Sequence, residues 1–259
     1  MNIVEHNSRA WDHLAESGIE WSVPVTAEEI ARARAGDWSI ILTPKKAVPR
    51  AWFGDVRGKD VLCLASGGGQ QAPILAAAGA RVTSFDASAG QLARDRSVAE
   101  RERLEIRLEQ GDAADLSRFA DESFDLIFHP CSNCFIENLA PVWRECHRVL
   151  RPAGGALLAG FNNPIIYIFD AELEEKKGLL SVRHRLPYSD LESLSEAERA
   201  ARLQRGEPLE FSHTLDAQIG GQIAAGFLIA GFYEDYWTDE ARALNKYAPS
   251  FIATRAIKL

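Results

Sequence analysis

Three consecutive glycines, which closely follow a short apolar run, are the first residues in the chain whose type and spacing suggest a chemical function. The run at 61–64 (VLCL) is typical of a strand buried on both faces, and Gly67, Gly68 and Gly69 follow it. Pro73 suits a first helical turn and Gly79 a helix end. A strand, a glycine loop and a helix in this order predict a cradle in which helix N-terminal amides bind a cofactor.

Two carboxylates follow at the ends of the next two predicted strands. Asp86 ends the strand at 81–85 (RVTSF), 17 residues beyond Gly69, where it would accept hydrogen bonds from ribose hydroxyls. Asp112, in the segment 110–116 (QGDAADL), would accept a hydrogen bond from an adenine amino group. Each also fits as an aspartate that only turns the chain.

Histidines supply the candidates for proton transfer. His129 ends the predicted strand at 124–129, at the carboxyl edge where ligands of open α/β sheets bind, so we expect a cofactor contact or a base there. His213 precedes a predicted helix and is a second candidate beside the substrate. Four further residues are candidates for the wall of the substrate site, although packing explains each of them as well: Asn133, Tyr167, His184 and Tyr188.

The four cysteines, Cys63, Cys131, Cys134 and Cys146, are interpreted as reduced thiols in a chain with no apparent secretion signal. Cys131 and Cys134 have C-x-x-C spacing near His129, but a closed zinc site needs four ligands and Cys146 falls on an apolar helix face. We therefore expect no metal.

The elements that position these residues alternate between strands and helices. Ser88 and Gln91 predict a capping box at 88–91, Asn138 caps a helix, and a Ser195–Glu198 box predicts another helix near 196–205. The pattern predicts a mostly parallel α/β sheet with helices on both faces. Strands are expected at 60–65, 81–85, 104–109, 124–129, 156–161, 227–236 and 250–258, and helices near 5–17, 26–35, 71–78, 88–103, 139–150 and 215–225.

We interpret residues 1–259 as a single domain. Residues 1–55 carry four of the six tryptophans and predict a helical arm that packs over the domain, either as part of the core or as a lid. Residues 56–161 form the cofactor-binding core, and 162–212 interrupt the alternation as an insertion that caps the substrate. Residues 213–259 complete the sheet.

Charge and hydropathy exclude some partners. The net charge of −8 disfavours a general nucleic-acid or anionic-membrane binder, because phosphate binding depends on clustered Lys and Arg. No apolar run reaches membrane-spanning length, and the N-terminus lacks a basic segment leading into an apolar one. We expect a cytoplasmic protein, and its oligomeric state stays open.

Five stretches in order resemble the class I S-adenosylmethionine-dependent methyltransferases, in the small-molecule branch of the type 11 kind. They are GKDVLCLASGGGQQ (58–71), FDAS (85–88), QGDAADL (110–116), SFDLIFHP (123–130) and HRVLRPAGGALL (147–158). The resemblance covers 58–161 well and 213–258 in general shape. It implies a Rossmann-like sheet of seven strands whose last strand, 250–258, runs antiparallel.

The resemblance also implies a set of cofactor-binding residues. They are Ala65, Ser66, Gly67, Gly68, Gly69, Asp86, Ala87, Gln91, Gly111, Asp112, Ala113 and His129. Two positions depart from the family's Asp-x-Gly-x-Gly motif. Cys63 occupies the acidic position and removes one partner of the methionine ammonium, and Ala65 replaces the first glycine, so we expect ordinary backbone angles at Ala65.

These features predict S-adenosylmethionine-dependent methyl transfer to a small molecule, with His129 and His213 as catalytic candidates. A nicotinamide-dependent oxidoreductase is one alternative, although no tyrosine is followed by lysine four residues later. A protein that binds the cofactor without catalysis is another, suggested by Cys63 and Ala65. The sequence 129–132 (HPCS) lacks the Asn/Asp-Pro-Pro-aromatic signature of DNA amino-methyltransferases, so nucleic acid is not the expected substrate.

Overall fold

The computed structural model describes residues 1–239 and 242–259. Its centre is a seven-stranded sheet in the order β3-β2-β1-β4-β5-β7-β6. The pairs among β1 to β5 are parallel, and β7 runs antiparallel to both β5 and β6. The expected fold class is confirmed. The strands are β1 (Asp60–Leu64), β2 (Arg81–Asp86), β3 (Ile106–Gln110), β4 (Leu126–His129), β5 (Ala156–Asn162), β6 (Phe227–Asp235) and β7 (Phe251–Lys258).

Helices cover both faces of this sheet. The helices are α1 (Ile3–Ser17), α2 (Ala27–Arg34), α3 (Gln71–Ala77), α4 (Ala89–Glu102), α5 (Leu139–Val149), α6 (Ala171–Lys177), α7 (Asp190–Ser193), α8 (Glu196–Gln204) and α9 (Gly221–Ala224). Among the described residues, none of these helices is long and apolar enough to cross a membrane.

The alternation of side chains along β1 divides the core into two layers. Val61 and Cys63 belong to one apolar cluster and Leu62 and Leu64 to the other, and all four are fully buried. Burial on both faces is why the strand is continuously apolar. The first cluster also receives side chains from residues 30–56, so much of the arm belongs to the core.

Several predicted boundaries were wrong for local reasons. β3 starts at Ile106 because the amide of Leu104 still donates to the carbonyl of Ala99 and closes α4. β4 starts at Leu126 because Phe124 forms only an isolated bridge, with Leu150. The helix expected at 215–225 begins as a π-helical turn, Asp216–Gly220, and continues as α9.

The predicted capping box at Ser88 is only half formed. Ser88 Oγ accepts a hydrogen bond from the amide of Gln91 at 3.0 Å, as expected for an N-cap. The Gln91 side chain does not return to Ser88 but donates to Ser22 Oγ at 2.7 Å. The amide of Ser88 donates to Asp86 Oδ1 instead, at 2.9 Å. The Ser195 box and the Asn138 cap form as predicted.

The arm is attached to the start of α4 through a carboxylate. Asp12, on α1, accepts hydrogen bonds from Ser88 Oγ at 2.6 Å and from the amide of Gly90 at 2.7 Å. The amide of Gly90 is one of the helix N-terminal donors that have no partner within the helix. A residue of the arm therefore caps a helix that borders the predicted cofactor site.

We predict that Asp12→Ala lowers the free energy of unfolding by about 1–2 kcal/mol, because two donors lose a charged acceptor. Glu16→Ala, which removes an exposed carboxylate from the same helix, is the matched control. Urea unfolding measures both, and equal effects would contradict the capping role of Asp12.

Candidate functional site

A cavity of about 830 Å³ lies at the carboxyl ends of the parallel strands. It is lined by the loop after β1, the ends of β2 and β3, and the loops after β4 and β5. Residues of α1 and of the insertion close its other sides. Crevices at this edge are where open α/β sheets bind their ligands.

The glycine loop is shaped by close contacts with its neighbours. A Cβ atom on Gly67 would lie 2.6 Å from Gln91 Cβ, and one on Gly68 would lie 2.4 Å from the carbonyl oxygen of Trp21. Gly68 and Gly69 both have positive φ, 123° and 78°. These positions tolerate no side chain, because the loop lies between α4 and the arm.

Ala65 has a φ of 46°, so the expectation of ordinary backbone angles there was wrong. Its amide donates to the carbonyl of Phe85 at 2.7 Å and so continues the pairing of β1 with β2 while the chain turns into the loop. The left-handed conformation is unusual for alanine, and the family glycine is replaced here without a change to ordinary φ.

The predicted cofactor residues divide into those that line the cavity and those that support it. Gly68, Gly69 and His129 do not line it. The amide of Gly69 donates to Asp95 and its carbonyl accepts from Val25, so this glycine acts on the loop and not on the cavity. The lining residues are Ala65, Ser66, Gly67, Asp86, Ala87, Gln91, Gly111, Asp112 and Ala113.

Asp86 joins the glycine loop to the start of α4. Its Oδ2 accepts from the amide of Gly67 at 3.0 Å and its Oδ1 from the amide of Ser88 at 2.9 Å. Burial raises the pKa of Asp86, and the two amide hydrogen bonds oppose that shift. A carboxylate oxygen can accept more than one hydrogen bond, so Asp86 can still accept from a ligand hydroxyl.

Two buried polar atoms beside the loop fit a ligand with hydrogen-bond donors. Among the described residues, Ser66 Oγ and Gln91 Oε1 have no hydrogen-bond partner, and both side chains line the cavity. Buried polar atoms are normally paired, so these two favour a bound donor such as an ammonium group. Cys63, at the family's acidic position, is fully buried outside the cavity.

A buried carboxyl group that the sequence did not reveal joins the glycine loop to β2. Asp95 Oδ1 accepts from the amide of Gly69 at 2.7 Å, and its Oδ2 accepts from Ser84 Oγ at 2.6 Å. Burial raises the pKa of Asp95 to about 7, and the nearby carboxylate of Asp86 adds to the rise. In the sequence Asp95 lies between two arginines on a polar helix, where it resembles a surface residue.

His129 is fully buried and both of its ring nitrogens are occupied. Nδ1 is hydrogen-bonded to the carbonyl of Leu64 at 2.9 Å, and Nε2 to Asn133 Oδ1 at 2.7 Å. Burial lowers the pKa of His129 and disfavours the charged ring. The predicted roles as base and as cofactor contact thus gain no support, because the ring neither reaches the cavity nor has a free nitrogen.

The other polar candidates also divide into residues that line the cavity and residues that do not. His213 Nε2 donates to the carbonyls of Asn133 and Ile136, at 3.1 and 2.8 Å, and His213 lies outside the cavity lining. Burial lowers its pKa as well. Asn133, His184 and Tyr188 are also outside the lining, whereas Tyr167 is part of it.

Cys131 and Cys134 both line the cavity. Burial raises the pKa of each thiol, which keeps the thiols protonated and weakly nucleophilic. Within residues 1–239 and 242–259, no three or more His, Cys, Asp or Glu side chains are grouped so that they could hold a metal ion.

The half of the cavity beyond the predicted cofactor residues contains groups that the sequence did not single out. It is bordered by aromatic and aliphatic side chains and by a few polar ones from the arm, the loop after β4 and the insertion. No local motif marked them, because they converge from distant segments. They include Leu42, Thr43, Phe135, Glu174, Glu210, Trp237, Arg242, Leu244 and Phe251, and they lie beside Trp11 of the arm and Ile166 of the insertion, two segments that the sequence placed near the substrate.

Comparisons with known proteins agree with this geometry. The family profile described as Methyltransferase domain matches residues 62–158. The chain is 49% identical over 257 residues, 99% of each chain, to a protein of Bacillus subtilis (strain 168) described as uncharacterized methyltransferase YbaJ.

Solved structures share the fold. One is an S-adenosylmethionine-dependent methyltransferase from Mesorhizobium loti, with a TM-score of 0.63 and 21% identity over 81% of this chain and 95% of that chain. Another is geranyl diphosphate C-methyltransferase from Streptomyces coelicolor A3(2), solved with Mg²⁺, geranyl diphosphate and S-adenosyl-L-homocysteine. It has a TM-score of 0.61 and 12% identity over 100% of this chain and 99% of that chain.

We predict that the stability of the ligand-free protein falls as pH rises from about 4 to about 7 because of Asp95. Its carboxyl loses a proton near pH 3.8 in the unfolded chain but only near 7 in the folded protein. The unfolded state therefore binds fewer protons over this range, and the free energy of unfolding declines by something on the order of 3 kcal/mol.

Asp95→Asn, which keeps an acceptor for Gly69 but cannot ionise, should remove this decline. Glu100→Gln, on an exposed position of the same helix, should leave it in place. Urea unfolding at a series of pH values measures all three proteins. A decline that persists unchanged in Asp95→Asn would show that another group is responsible.

Proposed function

Because the chain belongs to the class I S-adenosylmethionine-dependent methyltransferases, we propose that it methylates a small, largely apolar molecule enclosed in this cavity. When bound, S-adenosylmethionine supplies an electrophilic methyl carbon with a good leaving group. The protein then has to position the acceptor, exclude water and receive a proton where the acceptor loses one.

We assign the cofactor residues by their places in the lining. The loop at Ala65, Ser66 and Gly67 would pass the methionine end, with the unpaired oxygens of Ser66 and Gln91 available to its ammonium. Asp86 would accept from the ribose hydroxyls. Gly111, Asp112 and Ala113, with Ala87, would border the adenine. The buried oxygen of Gln91 offers a partner that Cys63 does not.

The observation that supports a small acceptor is the composition and enclosure of the second half of the cavity. Trp11 from the arm packs edge-to-face on Phe135, with ring centroids 5.1 Å apart. Ile166 and Glu210 from the insertion border the same space as these rings. Pockets with mainly apolar walls and few polar groups are typical of small-molecule sites.

The arm and the insertion are joined to each other as well as to the core. Asn7 on α1 donates to the carbonyls of Phe135 and Leu209, both at 3.0 Å, and accepts from the amide of Leu209 at 2.8 Å. These contacts support the proposal that residues 1–55 act as a lid and 162–212 as a cap within one domain. The acceptor would enter when they separate.

Because the chain belongs to a methyltransferase family, the nicotinamide-dependent oxidoreductase alternative is set aside. A role in binding without catalysis is disfavoured, since the half of the cavity beyond the cofactor residues is large and walled. The cytoplasmic location and the exclusion of nucleic acid stay predictions.

We expect Asp86→Asn to weaken binding of S-adenosylhomocysteine by about 1.5–3 kcal/mol, the scale of a hydrogen bond to a charged acceptor. Asp115→Asn, at an exposed aspartate outside the cavity, should bind normally. Isothermal titration measures both affinities. Unchanged affinity in a folded Asp86→Asn protein would show that the ribose lies elsewhere.

The proposed function is tested with S-adenosylmethionine labelled in its methyl group. The purified protein is incubated with a deproteinised small-molecule extract of bacterial cells and, separately, with the protein and nucleic-acid fractions. We expect label in the small-molecule fraction. Label only in protein or nucleic acid, or in no fraction although S-adenosylhomocysteine binds, would contradict the proposal.

A further inference from the structure

A buried tyrosine and a partly exposed glutamate meet in the half of the cavity beyond the cofactor residues. The hydroxyl of Tyr167 donates to Glu210 Oε2 at 2.9 Å and accepts from the side-chain amide of Asn162 at 2.9 Å. All three side chains line the cavity. The Glu210 side chain retains 31% exposure, and its place in the lining indicates that this surface faces the cavity.

The groups packed around Glu210 leave the cluster with an excess of negative charge. Arg202 contacts Glu210 Oε1 at 2.8 Å, Asp190 Oδ2 at 3.0 Å and Glu207 Oε2 at 4.0 Å, so one guanidinium faces three carboxylates. Glu207 is also paired with Arg205, at 2.6 Å. Asp190 is fully buried. The remaining titratable neighbours are the phenols of Tyr167 and Tyr188 and the thiol of Cys134, and burial raises the pKa of each. These three groups therefore remain protonated.

The same burial raises the pKa of the Glu210 carboxyl, which Arg202 and the hydrogen bond from Tyr167 oppose. A carboxylate with a raised pKa is a better proton acceptor than an exposed one. The hydrogen bonds from Arg202 and Tyr167 fix its orientation and leave further lone pairs for a ligand.

The Tyr167–Glu210 pair lies where a methyl acceptor would be expected relative to the glycine loop. Asn162 is the last residue of β5, two strands away from β1, whose end carries the glycine loop. Neighbouring strands are about 4.8 Å apart, which separates the two strand ends by roughly 10 Å. The loop after β4, with Cys131 and Cys134, lies between them. This spacing leaves room for a methyl donor on one side and an acceptor beside Glu210.

The other carboxylates of the described lining are placed differently. Asp86 and Asp112 belong to the cofactor half, and Glu137 is exposed at the rim. Glu174 accepts from the amide of Leu244 at 3.2 Å and faces Arg242 at 3.9 Å. Arg242 is also the only Lys, Arg or His side chain in the lining formed by the described residues. An acidic lining of this kind disfavours an anionic acceptor.

Building on the proposed function, we propose that Glu210 is the proton acceptor of the reaction and that the acceptor carries a hydroxyl or amino group on an apolar body. The oxygen or nitrogen of that group forms the new bond to the methyl carbon while the carbon–sulfur pair leaves with the sulfur, and its proton moves to the Glu210 carboxylate. Tyr167 is a positioning residue that orients Glu210 through its hydrogen bond.

The test is a pH profile of methyl transfer to the small-molecule extract with labelled S-adenosylmethionine. Glu210 must be ionised to accept a proton, so the wild-type rate should fall as pH drops through its pKa. Glu210→Gln should lower kcat about 100-fold or more and remove this acid limb, in line with the usual contribution of a general base. Glu210→Asp should retain the limb at a reduced rate.

Tyr167→Phe gives a readout that a purely structural role would not. Loss of a donor to the ionised carboxylate should shift the acid limb to higher pH. Glu207→Gln is the matched control, because Glu207 faces the same guanidinium at 4.0 Å but does not line the cavity. Its profile should match the wild type.

Infrared difference titration of the S-adenosylhomocysteine complexes, wild type against Glu210→Gln, should show a carboxyl band with the same midpoint as the acid limb. Thermal midpoints and affinities for S-adenosylhomocysteine establish that the variants fold and bind. Small-molecule labelling by Glu210→Gln at the wild-type rate would overturn the role of Glu210 and leave the proposed function intact. Failure of the wild type to label any small molecule would overturn both.

If Glu210→Gln does not fold, the pH profiles of Tyr167→Phe and Glu210→Asp test whether Glu210 is the proton acceptor. An acid limb at the same pH in Tyr167→Phe as in the wild type, or no limb in Glu210→Asp, would overturn the role of Glu210.

Discussion

The loop between β1 and α3 depends on two carboxyl groups, one partly and one fully buried, that accept hydrogen bonds from its backbone amides. Asp86 holds Gly67 and Asp95 holds Gly69, at 3.0 and 2.7 Å. These two hydrogen bonds fix both the position and the peptide orientation of the loop. Without them, the positive φ angles of Gly68 and Gly69 would have little to oppose other conformations.

Placing two acidic groups so close together has a cost, and the structure reduces it by giving each carboxyl group its own hydrogen-bond donors. Burial raises the pKa of both Asp86 and Asp95, and each is satisfied by hydrogen bonds from the amides and from Ser84 or Ser88. A cationic ligand beside Asp86 would lower that cost further.

Support from the opposite side of β1 comes from a chain of buried polar side chains. The carbonyl of Leu64, one residue before the loop, is hydrogen-bonded to His129, which joins Asn133 and then Gln218. From the π-helical turn the chain continues through Gln222 to Thr254 on β7. His129 thus connects the end of β1 to the loop after β4 and to the π-helical turn.

The fold, and the part of the cavity lining formed by the glycine loop and the ends of β2 and β3, could be predicted from the sequence because their signals are local. Each depends on a residue at a strand end and on the period of the flanking apolar residues, as for Asp86 and the glycines. The opposite side of the cavity could be predicted only in part. Tyr167 was a candidate for its wall, but Asn162, Glu174 and Glu210 carry no local signal, because they come from segments that meet only in three dimensions. Burial also matters for two residues: His129, a candidate from the sequence, is enclosed, and Asp95, which no sequence signal singled out, is buried.

This difference follows from how the two halves are built. The cofactor half is formed by consecutive strand–loop units, in which a ligand contact is fixed by its distance along the chain from a strand. The half of the cavity beyond the predicted cofactor residues is enclosed by the arm and the insertion. These two segments contact each other through Asn7 and Leu209, about 200 residues apart. Chemistry that depends on such a closure has no local sequence pattern. The Tyr167–Glu210 pair is formed within the insertion, and the arm completes its enclosure.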